Sequence, residues 1–171
     1  MKRTKRKLVS ELMRNSRRSD RELAKAVGVS QPTISRMIKK LENEGYIKEY
    51  TIVPDFRKLG YHLIALIFVK LKQGLSSDEI EEARRMARES LKAGSLEVVM
   101  LERGIGLGYD GVFISLHKDY ASYLELKKSC RQFSFLELSK FETFLVNLDD
   151  KVRYRPLTFS TLAKHALSME E

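Results

Sequence analysis

Between residues 30 and 40 lie the side chains best equipped for chemistry on another molecule. Gln31, Thr33, Ser35 and Arg36 occupy the start of a stretch whose apolar residues, Ile34, Ile38 and Leu41, recur at helical spacing. A glutamine can pair bidentately with an adenine edge and an arginine with a guanine edge. Lys39 and Lys40 follow on the same stretch, and Arg17, Arg18 and Arg21 lie just upstream. These five cations suit phosphates, whose contacts set affinity rather than base preference.

Other reactive residue types form no comparable set. His62, His117 and His165 are far apart, with no metal-ligand spacing between any two. Cys130 is the only cysteine, which excludes an intramolecular disulfide and any multi-cysteine metal site. It falls on an apolar helical face and reads as core. No carboxylate pair stands out as an acid/base couple. Gly106-Leu107-Gly108-Tyr109-Asp110-Gly111 fits G-x-G-x-x-G, but a dinucleotide fingerprint must open a helix, and the β-prone Val112-Phe113-Ile114-Ser115-Leu116 follows. The motif reads as a loop. Nothing in the sequence calls for a cofactor, a metal or an enzymatic activity.

The elements that must hold the basic side chains are legible. Residues 5–16 read as a helix with Leu8, Val9, Leu12 and Met13 on one face. Ser19 and Glu22 fit a capping box for a short helix over 20–27, which Gly28 stops. Ser30 is placed to cap a third helix over 31–44, with Pro32 in its first turn and Gly45 after it. Two helices joined by Gly28-Val29-Ser30, the second basic outside and apolar inside, form a helix-turn-helix pattern. Tyr46 to Val53 is β-branched and aromatic and reads as one or two wing strands.

Charge supports this division. Residues 1–60 hold 16 Lys and Arg against 7 Asp and Glu, a net of +9, whereas residues 61–171 hold 16 of each. The whole excess therefore sits in the first third, as in a polyanion-binding module joined to a neutral one. The 171 residues suffice for one domain or two small ones. The longest apolar run, Leu63 to Val69, is too short to span a bilayer, and no signal-peptide apolar stretch follows the basic start. A cytoplasmic location is expected. Only six Asn and Gln, beside many Lys, Arg and Glu, hint at a thermophile.

Beyond a connector over 56–61, residues 62–72 read as a strand apolar on both faces, which helices and a partner subunit's sheet would cover. Ser77 is placed to cap a helix over 78–92 with Ile80, Ala83, Ala87 and Leu91 in a narrow stripe. Strands over 96–102 and 112–116 follow, joined by the loop at 104–111. A helix over 118–131 carries Tyr123, Leu126, Cys130 and Phe133 on one side, and a last strand covers 137–148. The order is the split βαβ, ferredoxin-like one. The expected fold is α+β: an N-terminal winged helix-turn-helix at 1–55, then a ferredoxin-like βαββαβ sandwich at 62–150, then a tail at 151–171.

Residues Ser30 to Ile47 closely resemble the recognition helix and turn of bacterial and archaeal winged helix-turn-helix regulators. Together with Thr51 to Tyr61 at the wing exit, a glycine and Tyr109-Asp110 before the third strand, and Asp150 to Leu157, the chain resembles the leucine-responsive and asparagine-synthesis regulator (Lrp/AsnC) family. The resemblance implies a cytoplasmic transcriptional regulator that binds double-stranded DNA through the nine residues above. It implies a dimer or octamer assembled by the second domain, and an amino acid or other small effector at a subunit interface. Gly106, Tyr109 and Asp110 are the effector candidates, Tyr109 to stack or hydrogen-bond and Asp110 to hold an ammonium group. The sequence departs from the family pattern: Gly106 lies one residue too far upstream of Tyr109-Asp110, and Phe133-Ser134-Phe135 replaces the usual Pro-Gly-Val. Two other readings stay open. One is an architectural, chromatin-like DNA-coating protein, which the basic third supports. The other is a tetrapyrrole decarboxylase-like enzyme, whose histidine-, tyrosine- and tryptophan-rich segments are missing here.

Overall fold

A computed structural model describes residues 2–92, 97–152 and 154–168. The chain forms two compact units, one of residues 1–53 with 153–171 and one of residues 54–152.

The first unit holds α1 (Arg3–Arg14), α2 (Asp20–Val27), α3 (Gln31–Asn43) and, from the far end of the chain, α6 (Leu162–Ser168). Leu8, Leu23, Ala24, Val27, Ile34 and Leu41 make its core, with Val9, Leu12, Val29, Met37, Ile38 and Ile47 packed around them. Each such large apolar side chain contributes about 1.5–3 kcal/mol. The Ser19–Glu22 capping box is present, with the Ser19 amide donating to Glu22 Oε2 at 2.7 Å and the Glu22 amide to Ser19 Oγ at 3.3 Å. The Ser19 hydroxyl also donates to Glu22 Oε2 at 2.7 Å, and that bond, with the one from the Ser19 amide, holds the Glu22 carboxyl below its ordinary pKa. Gly28 ends α2 in the left-handed conformation at φ 87°, which a Cβ would strain. Ser30 does not cap α3 with its side chain, because its hydroxyl bonds the Thr33 hydroxyl at 2.8 Å.

Two expectations for this unit need correction. Tyr46 to Val53 contains no strand. The segment has no turn residue after Gly45 and hence no second strand to pair with, and a strand needs a ladder partner. Tyr50 instead donates its hydroxyl to Glu42 Oε1 at 3.1 Å, back onto α3. The tail does not stand apart: α6 packs on α1, where the fully buried Ser10 donates its hydroxyl to the Ala163 carbonyl at 2.6 Å.

The second unit is one antiparallel sheet in the order β2-β3-β1-β4 with helices on one face. Its elements are β1 (Leu63–Val69), α4 (Ser77–Lys92), β2 (Val98–Gly106), β3 (Tyr109–His117), α5 (Tyr120–Ser129) and β4 (Glu142–Asn147). β1 is central, pairing Ile67 with Phe113 on one side and with Thr143 on the other. The order is that of the ferredoxin-like sandwich. Ala65, Ile67 and Phe113 face Tyr123, Leu126, Cys130, Phe133 and Leu136 in a second core.

Boundaries moved for physical reasons. The capping residue of α4 is Ser76, not Ser77: its hydroxyl accepts from the Glu79 amide at 3.2 Å, and its own amide donates to Glu79 Oε2 at 2.8 Å. The expected loop at 104–111 is mostly strand, since β2 and β3 run to a two-residue turn at Leu107-Gly108 with φ 52° and 80°. Such doubly positive turns match the twist of a hairpin. The last strand is shorter than expected. A bridge at Leu71–Leu136 and a 3₁₀ turn over Leu138–Lys140 precede β4.

Candidate nucleic-acid interface

The two buried apolar anchors of α3, Ile34 and Leu41, fix which side of the helix meets solvent. Successive residues turn about 100°. Pro32, Arg36, Lys39, Lys40 and Asn43 therefore fall within about 60° of a line through Arg36, and all five are exposed. Thr33 lies at the edge of that arc and is half-buried. Arg36 donates through Nε to the Pro32 carbonyl at 3.3 Å, which lays the guanidinium along the first turn. Gln31 is exposed at the helix start. Lys40 lies 3.7 Å from Glu44, and Glu44 is also paired with Lys5, which holds its carboxyl below the ordinary value.

Ser35 is different. It lies about 100° from Arg36 around the helix, is half-buried, and donates its hydroxyl to Asp20 at the start of α2. The bond ties the two helices of the motif together. Arg18 is half-buried and paired with Glu11 of α1. Arg17 and Arg21 are exposed, and their guanidinium groups carry no ion pair among the described residues.

Two cations were missed from sequence. Lys2 and Lys5, at the start of α1, share a surface depression with Thr33, Met37 and Lys40 of α3. The signal was the basic run at 2–7, weighed there only as part of a targeting segment. Lys7 is turned away, donating to the Val27 carbonyl at 3.3 Å.

The effector candidates lie in the second unit. Gly106 pairs with Tyr109 across the hairpin turn. The Tyr109 ring packs on Phe68 at 5.6 Å between centroids, and its hydroxyl bonds the Glu142 carboxylate, which raises its pKa. Asp110 accepts from the Leu71 amide at 2.9 Å and lies 3.8 Å from Lys70 Nζ. Both candidates thus already serve strand ends. The G-x-G-x-x-G residues form the hairpin and lead into β3, so they lack the strand-to-helix turn that cradles a pyrophosphate.

Residues 1–48 match the family of winged helix-turn-helix DNA-binding domains. An HTH-type transcriptional regulator of Pyrococcus furiosus is 45% identical over 84 residues, which are 49% of this chain and 55% of that protein. The chain spans about half the length of the curated relatives it matches. The crystal structure of an AsnC family transcriptional regulator from Agrobacterium tumefaciens superposes with a TM-score of 0.73 at 21% identity, covering 90% of this chain and 94% of that one. The chain has the Lrp/AsnC fold. A transcriptional regulator of Neisseria meningitidis in complex with L-Met shares this Lrp/AsnC fold, with a TM-score of 0.72 at 18% identity over 90% of this chain and 93% of that one. Among the described residues, no His, Cys, Asp and Glu group is arranged to hold a metal ion. No helix among them is long and apolar enough to cross a membrane.

Proposed function

We propose that this chain is a sequence-specific DNA-binding transcriptional regulator, with α3 as its recognition helix. The observation that carries the reading is the exposed arc of Arg36, Lys39 and Lys40, flanked by Lys2 and Lys5, in a unit that matches winged helix-turn-helix DNA-binding domains. Arg36 and Gln31 read base edges, with Thr33 at the flank. Lys39, Lys40, Arg17 and Arg21 hold phosphates. Arg18 and Ser35, occupied by Glu11 and Asp20, act mainly by positioning.

The regulator acts as a dimer or a higher oligomer, up to an octamer. Ile64, Leu66 and Phe144 lie on the sheet face opposite the α5 core, and Phe144 is 64% exposed. A second copy's sheet would cover that apolar face. Two recognition helices then reach successive major grooves about 34 Å apart. An amino acid or other small effector at a subunit interface, near Gly106, Tyr109 and Asp110, would change that spacing and with it the affinity. The L-Met complex of the Neisseria regulator supports such an effector class. The net +9 of residues 1–60 also suits an architectural protein that coats DNA with little base preference.

Titration of labelled duplexes across a salt series tests the reading. Binding should weaken steeply with salt, and Lys39→Ala should lower the slope of log affinity against log salt by about 1. Salt-independent binding, or none, would refute it.

A further inference from the structure

We propose that the cavity beneath α4 is a binding site, internal to the second unit, for a small carboxylate with an apolar body. The proposal does not depend on the DNA-binding reading.

The helix and the sheet do not close on each other. α4 turns Ile80, Ala83, Met86, Ala87 and Leu91 inward, so alanines stand at two of its five inward positions. Ala83 is its only buried residue. The space left is about 480 Å³, within the range of about 300–1,000 Å³ typical of small-molecule sites. Its floor is the core itself: Val69, Phe113, Leu126, Cys130, Phe133 and Leu136. Burial pushes the Cys130 thiol up to about 11, so the wall stays uncharged at neutral pH.

The lining charge selects the head group. Arg88 of α4 and Arg103 of β2 both line the cavity, and neither guanidinium group has an ion pair or hydrogen bond among the described residues. Arg84 is there too but is paired with Glu81. On the acidic side, Asp110 is engaged by the Leu71 amide and by Lys70. Among the described residues, Glu102 is the one carboxylate on the lining without a partner, so two open guanidinium groups outnumber it. Guanidinium groups bind carboxylates by charge-assisted, often bidentate bonds. An apolar chain against the floor with its carboxylate toward Arg88 and Arg103 satisfies both the walls and the lining charge. A zwitterionic amino acid would instead need Glu102 for its ammonium.

The test is calorimetric titration of the full chain with octanoate, 1-octanol and L-methionine. Octanoate should bind saturably and raise the melting temperature, with 1-octanol at least about tenfold weaker, as loss of charge-assisted bonds requires. Arg88→Gln and Arg103→Gln should each weaken octanoate by about tenfold and leave 1-octanol unchanged. Both positions are exposed, so the variants should fold. Ala87→Phe should fill the space and remove binding of both ligands. No saturable octanoate binding, equal binding of octanoate and 1-octanol, or binding that survives Ala87→Phe in a folded variant would overturn the proposal. Tighter binding of L-methionine than octanoate would overturn the assigned ligand class.

Discussion

Ser35 and Arg36 are neighbours that sequence reasoning treats alike, and the structure predicts opposite behaviour for them. Arg36 stands at the centre of the exposed arc of α3, whereas Ser35 faces α2 and donates to Asp20. A hydrogen bond to a charged group contributes about 1.5–3 kcal/mol when buried. Ser35 and Asp20 are half-buried, so screening brings the expected cost of Ser35→Ala to about 1 kcal/mol. For a unit of this size that lowers the melting temperature by about 4–8 °C. Its base preference should not change. Arg36→Ala should leave stability within about 0.5 kcal/mol, as for an exposed surface position. It should cost about 1–3 kcal/mol of discrimination at one base pair, roughly 5- to 150-fold. Thermal melts of both variants, paired with binding to a panel of single-base operator variants, separate the two. A change of base preference in Ser35→Ala with unchanged melting would refute the division of labour.

Other consequences follow from the same contacts. Ser10→Ala removes the hydroxyl bond to the Ala163 carbonyl, which keeps its helical partner, and should cost about 0.5–1.5 kcal/mol; faster amide exchange in α6 would report it, and unchanged protection there would contradict the docking. Leu107 holds φ 52° at the hairpin turn, and Leu107→Gly should stabilise by about 1 kcal/mol in urea unfolding, whereas destabilisation would show that the side chain packs usefully. Burial against Tyr123 and the Ser115 hydroxyl lowers the pKa of His117, with nearby Glu97 and Asp119 opposing. The unfolded chain then binds more protons than the folded one below about pH 6.5, so stability should fall as pH drops through that range. His117→Gln should flatten the fall, and an unchanged pH profile would remove His117 as its source.

What was legible in the sequence follows the range of the interactions involved. Local signals were reliable: the Ser19–Glu22 box, the Gly28 stop, and the helical spacing of Ile34, Ile38 and Leu41 all act within a few residues. Strand order followed from the alternation of helical and strand patterns. Two local caps failed, since Ser30 bonds the Thr33 hydroxyl and Ser76 rather than Ser77 pairs with Glu79; the larger errors lie where a distant partner decides. Tyr46–Val53 has strand propensity but no strand to pair with. Ser10 looks like an ordinary polar position on α1 until the segment about 150 residues later covers it. Ser35 fits a reading helix by position, and only the fold brings Asp20 to its hydroxyl. Lys2 and Lys5 became part of the candidate interface for the same reason, since no local pattern links α1 to Thr33 and Lys40. The cavity under α4 was visible only as a narrow stripe containing Ala83 and Ala87.

The central claim is that α3 reads DNA sequence. Selection of bound duplexes from a random pool at near-physiological salt tests it most directly. The account predicts an enriched inverted repeat with half-sites about one helical turn apart, and loss of preference at one position of each half-site in Arg36→Ala. Retention of DNA with no enriched sequence, or no retention, would contradict it.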